Sequence, residues 1–195
     1  MKCDYYSTQY TVYSKQNTVK KEEVEMNLKK LIRDVPDFPK QGIIFKDITP
    51  LLGDAKGFKA SINNMAKKYK DKHIDKIVSM EARGFIFGSA LAMKLNCGFV
   101  PLRKKGKLPY KTIKEEYQLE YGTDVIEIHE DAIKPNDQVL IVDDVLATGG
   151  TAKAVCSLIE RLGGKIVGIC FLIELSFLNP YDKLKGYEIT SLIKY

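Results

Sequence analysis

The chain is expected to be an α/β protein, with a parallel twisted sheet flanked by helices. Three observations predict this class. Segments of β-branched and aliphatic residues alternate with segments whose apolar residues recur every three or four positions, a pattern of parallel strands joined by crossover helices. Residues 139–142 (Val-Leu-Ile-Val) form a continuous apolar run, as a strand buried on both faces requires. Two adjacent carboxylates, Asp143 and Asp144, follow it where the strand is expected to end, and a small-residue segment, Ala147-Thr148-Gly149-Gly150-Thr151, then opens a helix. Open α/β sheets bind ligands outside the carboxyl ends of their strands, so these residues mark a site.

Residues 1–21 are polar, tyrosine-rich and without helical periodicity, and are read as an extension that is partly disordered or packs against a neighbour. Residues 22–195 are expected to form one domain. It begins with a helix over 22–33, with Val24, Leu28, Leu31 and Ile32 on one face. Prolines 36, 39 and 50 break the next segment, which holds a short strand at 43–46. A second helix over 57–70 turns Phe58, Ile62, Met65, Ala66 and Tyr69 inward. A strand at 76–80, a helix at 84–95 and a strand at 98–102 follow. Residues 112–121 and 123–129 are expected to pair as an antiparallel excursion. The remainder reads as strand 138–142, helix 150–162, strand 165–172 and a last strand near 188–193.

Composition narrows the function classes. At 195 residues the chain can bury one full core, and its 45% apolar and 29% charged content is that of a soluble globular protein. No run of eighteen apolar residues predicts a membrane span, and Asp4 with no apolar stretch behind it argues against a secretory signal. Cys3, Cys97, Cys156 and Cys170 show no paired spacing, and the last three lie in apolar runs, so reduced core cysteines in a cytoplasmic protein are expected. With only His73 and His129 present, a histidine-rich metal site is excluded.

The formal charge of +6 suits either nucleic acid or a small polyanionic substrate. Its distribution favours the second. The basic residues between 67 and 76 fall at the end of a predicted helix and read as solvated surface. Arg103, Lys104, Lys105 and Lys107 crowd a Gly/Pro-containing loop, where like charges repel unless solvated or facing an anion.

The chemistry starts from a conflict. Residues 147–151 offer backbone N–H groups and a helix dipole to an anion, yet two carboxylates stand beside them. A sugar phosphate resolves this: the turn holds the phosphate, and Asp143 and Asp144 accept hydrogen bonds from vicinal ribose hydroxyls. The segment is neither a Gly-Lys-Ser/Thr phosphate loop nor a Gly-x-Gly-x-x-Gly dinucleotide turn. Met80-Glu81-Ala82-Arg83-Gly84-Phe85 is a second strand-to-helix turn, with an arginine able to give bidentate bonds to phosphate. Residues 106–121 are long enough for a flap that closes to exclude water, with Glu120 a candidate proton-handling acid. Asp37-Phe38-Pro39-Lys40-Gln41-Gly42-Ile43-Ile44-Phe45-Lys46-Asp47-Ile48-Thr49-Pro50 is a rigid lid whose backbone and Phe45 suit a flat aromatic ligand.

Residues 139–151 resemble the phosphoribosyl pyrophosphate motif of type I phosphoribosyltransferases. All five segments, in this order, resemble the adenine phosphoribosyltransferase family over about 28–195. The resemblance implies a Rossmann-like core with an N-terminal lid and a mobile flap. It implies transfer of the 5-phosphoribosyl group from phosphoribosyl pyrophosphate to adenine, giving AMP and pyrophosphate in purine salvage, with Mg2+ bound alongside the phosphoribosyl pyrophosphate.

Carried onto this sequence, the resemblance assigns the ribose hydroxyls to Asp143 and Asp144, directly or through a water-linked metal. It assigns the 5′-phosphate to Ala147, Thr148, Gly149, Gly150 and Thr151, and pyrophosphate to Glu81, Ala82, Arg83, Arg103, Lys104 and Lys107. Adenine falls to Ile44, Phe45, Lys46 and Leu175, and the flap supplies Glu120 and Tyr121. Arg83 and Glu120 are the catalytic candidates. A cis peptide between Glu81 and Ala82 and a homodimer are also implied, with neither nucleic acid nor membrane as partner. Lys46 stands where the family commonly has arginine and Gln41 where it has proline. Backbone reading of the base tolerates both.

The sequence leaves two alternatives. One is a phosphoribosyltransferase for another purine base. The other is a non-catalytic regulator that binds phosphoribosyl pyrophosphate, for which the roughly 25 residues before the core are too few to form a winged-helix DNA-binding domain.

Overall fold

A computed structural model describes residues 26–118 and 122–195. The extension expected at 1–21, Cys3, Glu120 and Tyr121 lie outside the described residues.

The expected helix over 22–33 is not formed in its described part. Leu28–Leu31 is a single 3-10 turn, begun by the Asn27 side chain accepting from Lys29 N–H. The chain then enters a strand missed by the periodicity, β1 (Arg33–Pro36), which pairs antiparallel with β2 (Ile44–Asp47). The cause is a long-range partner. Arg33 lies opposite Asp47 and Asp34 opposite Lys46, and both facing pairs are ion pairs, at 2.6 Å and 2.7 Å. Asp37, at φ +57°, and the cis Phe38–Pro39 bond turn the chain between the strands.

A short helix α1 (Thr49–Gly53), also missed, leads into α2 (Ala55–Tyr69). The Asp54 carboxylate caps α2 by accepting from Gly57 N–H at 2.6 Å. Then come β3 (Lys76–Met80), α3 (Arg83–Leu95), β4 (Gly98–Lys104), the hairpin β5 (Thr112–Gln118) and β6 (Thr123–His129), β7 (Gln138–Leu146), α4 (Gly150–Arg161), β8 (Lys165–Glu174) and β9 (Ile189–Lys194). Asn96 ends α3 in the left-handed conformation. Two 3-10 turns, Ser176–Leu178 and Pro180–Leu184, lie between β8 and β9.

Seven strands form one sheet in the order β5-β6-β4-β3-β7-β8-β9. The five from β4 to β9 in this order run parallel, and the β5–β6 hairpin extends the β4 edge antiparallel, as expected of the excursion. The sheet is therefore mixed rather than purely parallel.

Strand alternation divides the apolar run of β7 between two cores. Leu140 and Val142 pack with Leu51, Met65, Phe87 and Leu91 beneath α1, α2 and α3. Val139 and Ile141 pack with Val155, Leu158 and Ile159 beneath α4. Each fully buried Val, Leu or Ile contributes roughly 1.5–3 kcal/mol of transfer free energy. A sheet buried on both faces needs this continuous apolar sequence.

Three strands run further than composition suggests. β4 reaches Lys104, β7 reaches Leu146 and β8 reaches Glu174. Asp143 and Asp144 therefore lie inside β7, not at its end. Backbone pairing to β8 (Asp143 with Phe171, Val145 with Ile173) continues irrespective of the side chains.

Candidate active site

The strand order reverses between β3 and β7: the sheet grows from β3 through β4 in one direction and from β7 through β8 in the other. Such a switch point leaves a crevice at the carboxyl ends of its strands. Arg83, in the first turn of α3 after β3, and Asp144, in β7, meet there, with Nε 2.8 Å from Oδ2. Phe45 of β2 reaches the same place. The Arg83 guanidinium lies 5.0 Å from its ring centroid, and Phe38 packs edge-on against that ring at 5.1 Å. The β1–β2 ribbon, the Arg83 turn and the paired acids are thus brought together from three distant parts of the chain.

Gly84 explains how α3 approaches so closely. A Cβ there would stand 2.5 Å from Asp143 Oδ1 and 3.4 Å from the Val142 carbonyl oxygen. Burial pushes the Asp143 carboxyl well up from its ordinary range, and the Asp144 charge adds to this. Burial also raises Asp144, countered by the Arg83 guanidinium. The pair therefore resists carrying two full negative charges until hydroxyls or a cation face it.

Residues 147–151 turn from β7 into α4. Gly149 is the residue before the helix and adopts φ +76°, and no side chain caps the N–H groups that follow. A Cβ at Gly149 would meet the Pro180 carbonyl oxygen at 2.7 Å, so both conformation and space demand glycine. The first turn of α4 carries no acid. Its open N–H groups and dipole favour an anion. Leu175 lies beside this turn, its N–H donating to the Leu146 carbonyl at 2.9 Å.

The peptide between Glu81 and Ala82 is cis, as the family resemblance implies. The Glu81 side chain turns to the end of β4. Its carboxylate lies 3.0 Å from both Arg103 Nε and Lys107 Nζ and accepts from Lys104 N–H at 2.8 Å. Burial works to raise this carboxyl, but these three donors outweigh it and hold it below the usual range. Lys104 Nζ lies 2.9 Å from Asp124. The cationic loop is thus gathered and partly neutralised by acids of the same chain. Asp124, and Tyr117, which interacts with it, escaped sequence reasoning. No local signal marks them: β4–β6 pairing carries Asp124 to Lys104, and β5–β6 pairing sets Tyr117 opposite Asp124.

Ile44 is exposed, whereas the Lys46 side chain is only 11% exposed. His73 pairs with Asp75 at 3.0 Å and accounts for itself structurally. Cys97, Cys156 and Cys170 are free thiols. A cavity of about 760 Å³ lies elsewhere, lined by Leu28, Lys29, Lys67, Lys68 and Ile193, and holds none of the expected site residues.

Among the described residues no cluster of three His, Cys, Asp or Glu side chains forms a metal cage. Two adjacent acids without further ligands fit an ion that keeps its waters and arrives with substrate phosphates, as Mg2+ does. No described helix is long and apolar enough to cross a membrane.

The crevice and sheet define the class of protein: residues 51–188 match the phosphoribosyl transferase domain family. An adenine phosphoribosyltransferase from Thermotoga sp. (strain RQ2) is 58% identical over 170 residues, covering 87% of this chain and 100% of that protein. One from Kosmotoga olearia is 60% identical over 170 residues, covering 87% and 100%. The crystal structure of adenine phosphoribosyltransferase from Thermoanaerobacter pseudethanolicus superposes with a TM-score of 0.84 at 56% identity, covering 86% of this chain and 98% of that one. The enzyme from Saccharomyces cerevisiae, crystallised with an imino-altritol bisphosphate and adenine, gives a TM-score of 0.81 at 39% identity, covering 86% and 97%. The chain belongs to the adenine phosphoribosyltransferase family.

Proposed function

We propose that residues 22–195 act as one catalytic domain that transfers the 5-phosphoribosyl group of phosphoribosyl pyrophosphate to adenine, releasing AMP and pyrophosphate, in a cytoplasmic homodimer. The observation that carries this reading is the meeting of Arg83, Asp144 and Phe45 at the switch point. A cation for the leaving group, acids for the sugar and an aromatic wall for the base converge there.

The anomeric C–O bond to pyrophosphate breaks as a ring nitrogen of adenine bonds to the same carbon, and negative charge grows on the departing oxygens. Arg83, with Arg103, Lys104 and Lys107, stabilises that charge. The open N–H groups of residues 147–151 hold the 5′-phosphate. Asp143 and Asp144 accept from the ribose hydroxyls and so orient the reacting carbon. Asp143 and Asp144 would hold Mg2+ that comes with the substrate, through water, and the ion would further neutralise the leaving group. The backbone of Ile44 and Lys46 reads the base, with Phe45 and Leu175 packed against it. Glu120 exchanges a proton with the ring, a role typically worth roughly 100- to 10,000-fold. Tyr121 belongs to the flap that excludes water from the oxocarbenium-like centre.

The test is nucleotide formation from phosphoribosyl pyrophosphate, Mg2+ and each of adenine, hypoxanthine, guanine and xanthine, resolved by chromatography. AMP from adenine alone is expected. A different nucleotide would overturn the base assignment but keep the transfer. Tight phosphoribosyl pyrophosphate binding without product would favour a regulator.

A further inference from the structure

Among the described residues the β1–β2 ribbon has two strands and no sheet neighbour. An isolated two-stranded ribbon is marginal in water, so side chains must fix it to the body. Phe45 does this on the Arg83 side. On the opposite side the contact is Tyr195. Its ring lies between two ammonium groups, Lys29 Nζ and Lys46 Nζ, each 4.0 Å from the centroid. Lys46 Nζ also bonds Asp34 of β1 at 2.7 Å, so the ribbon's own ion pair closes onto the ring. Lys29 Nζ in turn donates to the Lys194 carbonyl at 2.9 Å.

The backbone of Tyr195 makes a second connection. Its N–H donates to the Glu174 carbonyl at 3.0 Å, and its carbonyl accepts from Ser176 N–H at 2.9 Å. These bonds bracket Leu175. One residue therefore holds Lys46 by its ring and the Leu175 segment by its main chain.

We infer that Tyr195 is a positioning residue that joins the two walls of the adenine site, the lid strand at Lys46 and the loop at Leu175, and so sets affinity for the base. This rests on the base-site reading above. Tyr195 need not touch the base. It fixes the separation between backbone groups that do, and errors of about 1 Å in such positions cost on the order of 100-fold in rate.

The experiment combines two readouts on Tyr195→Ala, Tyr195→Phe and Lys46→Met. The first is amide hydrogen exchange at residues 44–47, which needs no turnover. Tyr195→Ala and Lys46→Met are expected to speed exchange about tenfold, on the order of one lost cation–π contact, whereas Tyr195→Phe retains the ring and leaves exchange as in the parent chain. The second is steady-state kinetics. The KM for adenine should rise about tenfold in Tyr195→Ala while that for phosphoribosyl pyrophosphate stays within about twofold, and Phe should restore it.

Unchanged exchange in both Tyr195→Ala and Lys46→Met would overturn the pin, whatever the chain catalyses. Faster exchange with an unchanged ratio of the two KM values would overturn its role in base affinity. Failure of the parent chain to form AMP would sink the base-transfer reading instead, and the exchange data would still decide the pin.

Discussion

Gly84 and Asp143 fit against each other only because Gly84 lacks a side chain: a Cβ would lie 2.5 Å from Asp143 Oδ1. The partner atom belongs to a short carboxylate inside a strand paired along its length, so it has little room to withdraw. Gly84→Ala is expected to lower kcat/KM by about 100-fold, on the scale of a displacement near 1 Å in the reacting geometry. Far-UV circular dichroism should remain that of the parent. Near-parental turnover would show that the crevice tolerates a wider separation of α3 from β7.

Arg83 is the countercharge of Asp144 at 2.8 Å. Replacing it with Gln removes the donor proposed for the leaving group and leaves a buried carboxylate without its ion pair. Loss of a preorganised charge-stabilising donor costs about 100- to 1,000-fold in kcat. Steady-state kinetics should find that loss, with pyrophosphate inhibition weakened alongside it. Arg83→Lys should recover little, because a point charge does not reproduce the planar guanidinium that lies over Phe45.

Glu174 supplies the pH test. Its side chain is 1% exposed, and burial works to raise its carboxyl. The nearby hydroxyls of Tyr181, Ser176 and Ser191 and the Lys194 ammonium outweigh burial and hold it at about 2 instead of 4.5. A carboxyl depressed in the folded state binds fewer protons there than in the unfolded chain, so its contribution is full above pH 4.5 and is lost as pH falls toward 2. Urea midpoints of the parent should drop through that window. Glu174→Gln should be less stable at pH 7 by roughly 1–3 kcal/mol, with the gap narrowing at low pH. A gap independent of pH would assign the loss to packing.

Asp54 gives a control remote from the crevice. Its carboxylate accepts from Gly57 N–H at 2.6 Å and caps α2. Asp54→Ala should cost about 1 kcal/mol and lower Tm by roughly 2–4 °C. Both KM values should remain parental.

The elements best read from sequence are those whose cause is local. The residues of β7 alternate between two apolar faces, α4 follows a glycine-rich turn and α3 the tight Glu81–Ala82 turn, so strand, turn and helix are visible within 139–162 and 76–95. The uncapped start of α4 and the Arg83 turn likewise lie at strand-to-helix connections, whereas the paired acids sit inside β7. The failures share one origin. The apolar spacing at Leu28, Leu31 and Ile32 favours a helix over 22–33, but Arg33 pairs with Asp47 of β2 and Asp34, next in the chain, with Lys46, so the chain enters a strand. β7 and β8 run past Val142 and Leu172 because main-chain pairing with a neighbour extends past polar side chains.

By itself the sequence determined the α/β class, the order of its main elements and the residue types available for binding a sugar phosphate, because period and turn chemistry act over a few residues. Only the tertiary structure decided that Glu81 gathers Arg103, Lys104 and Lys107, that Asp124 takes Lys104, and that Tyr195 sits between Lys29 and Lys46. A charged side chain selects its partner from what folding brings within a few ångströms. For Lys46 and Tyr195 that proximity arises across 149 positions of sequence, through a sheet order that no local pattern encodes.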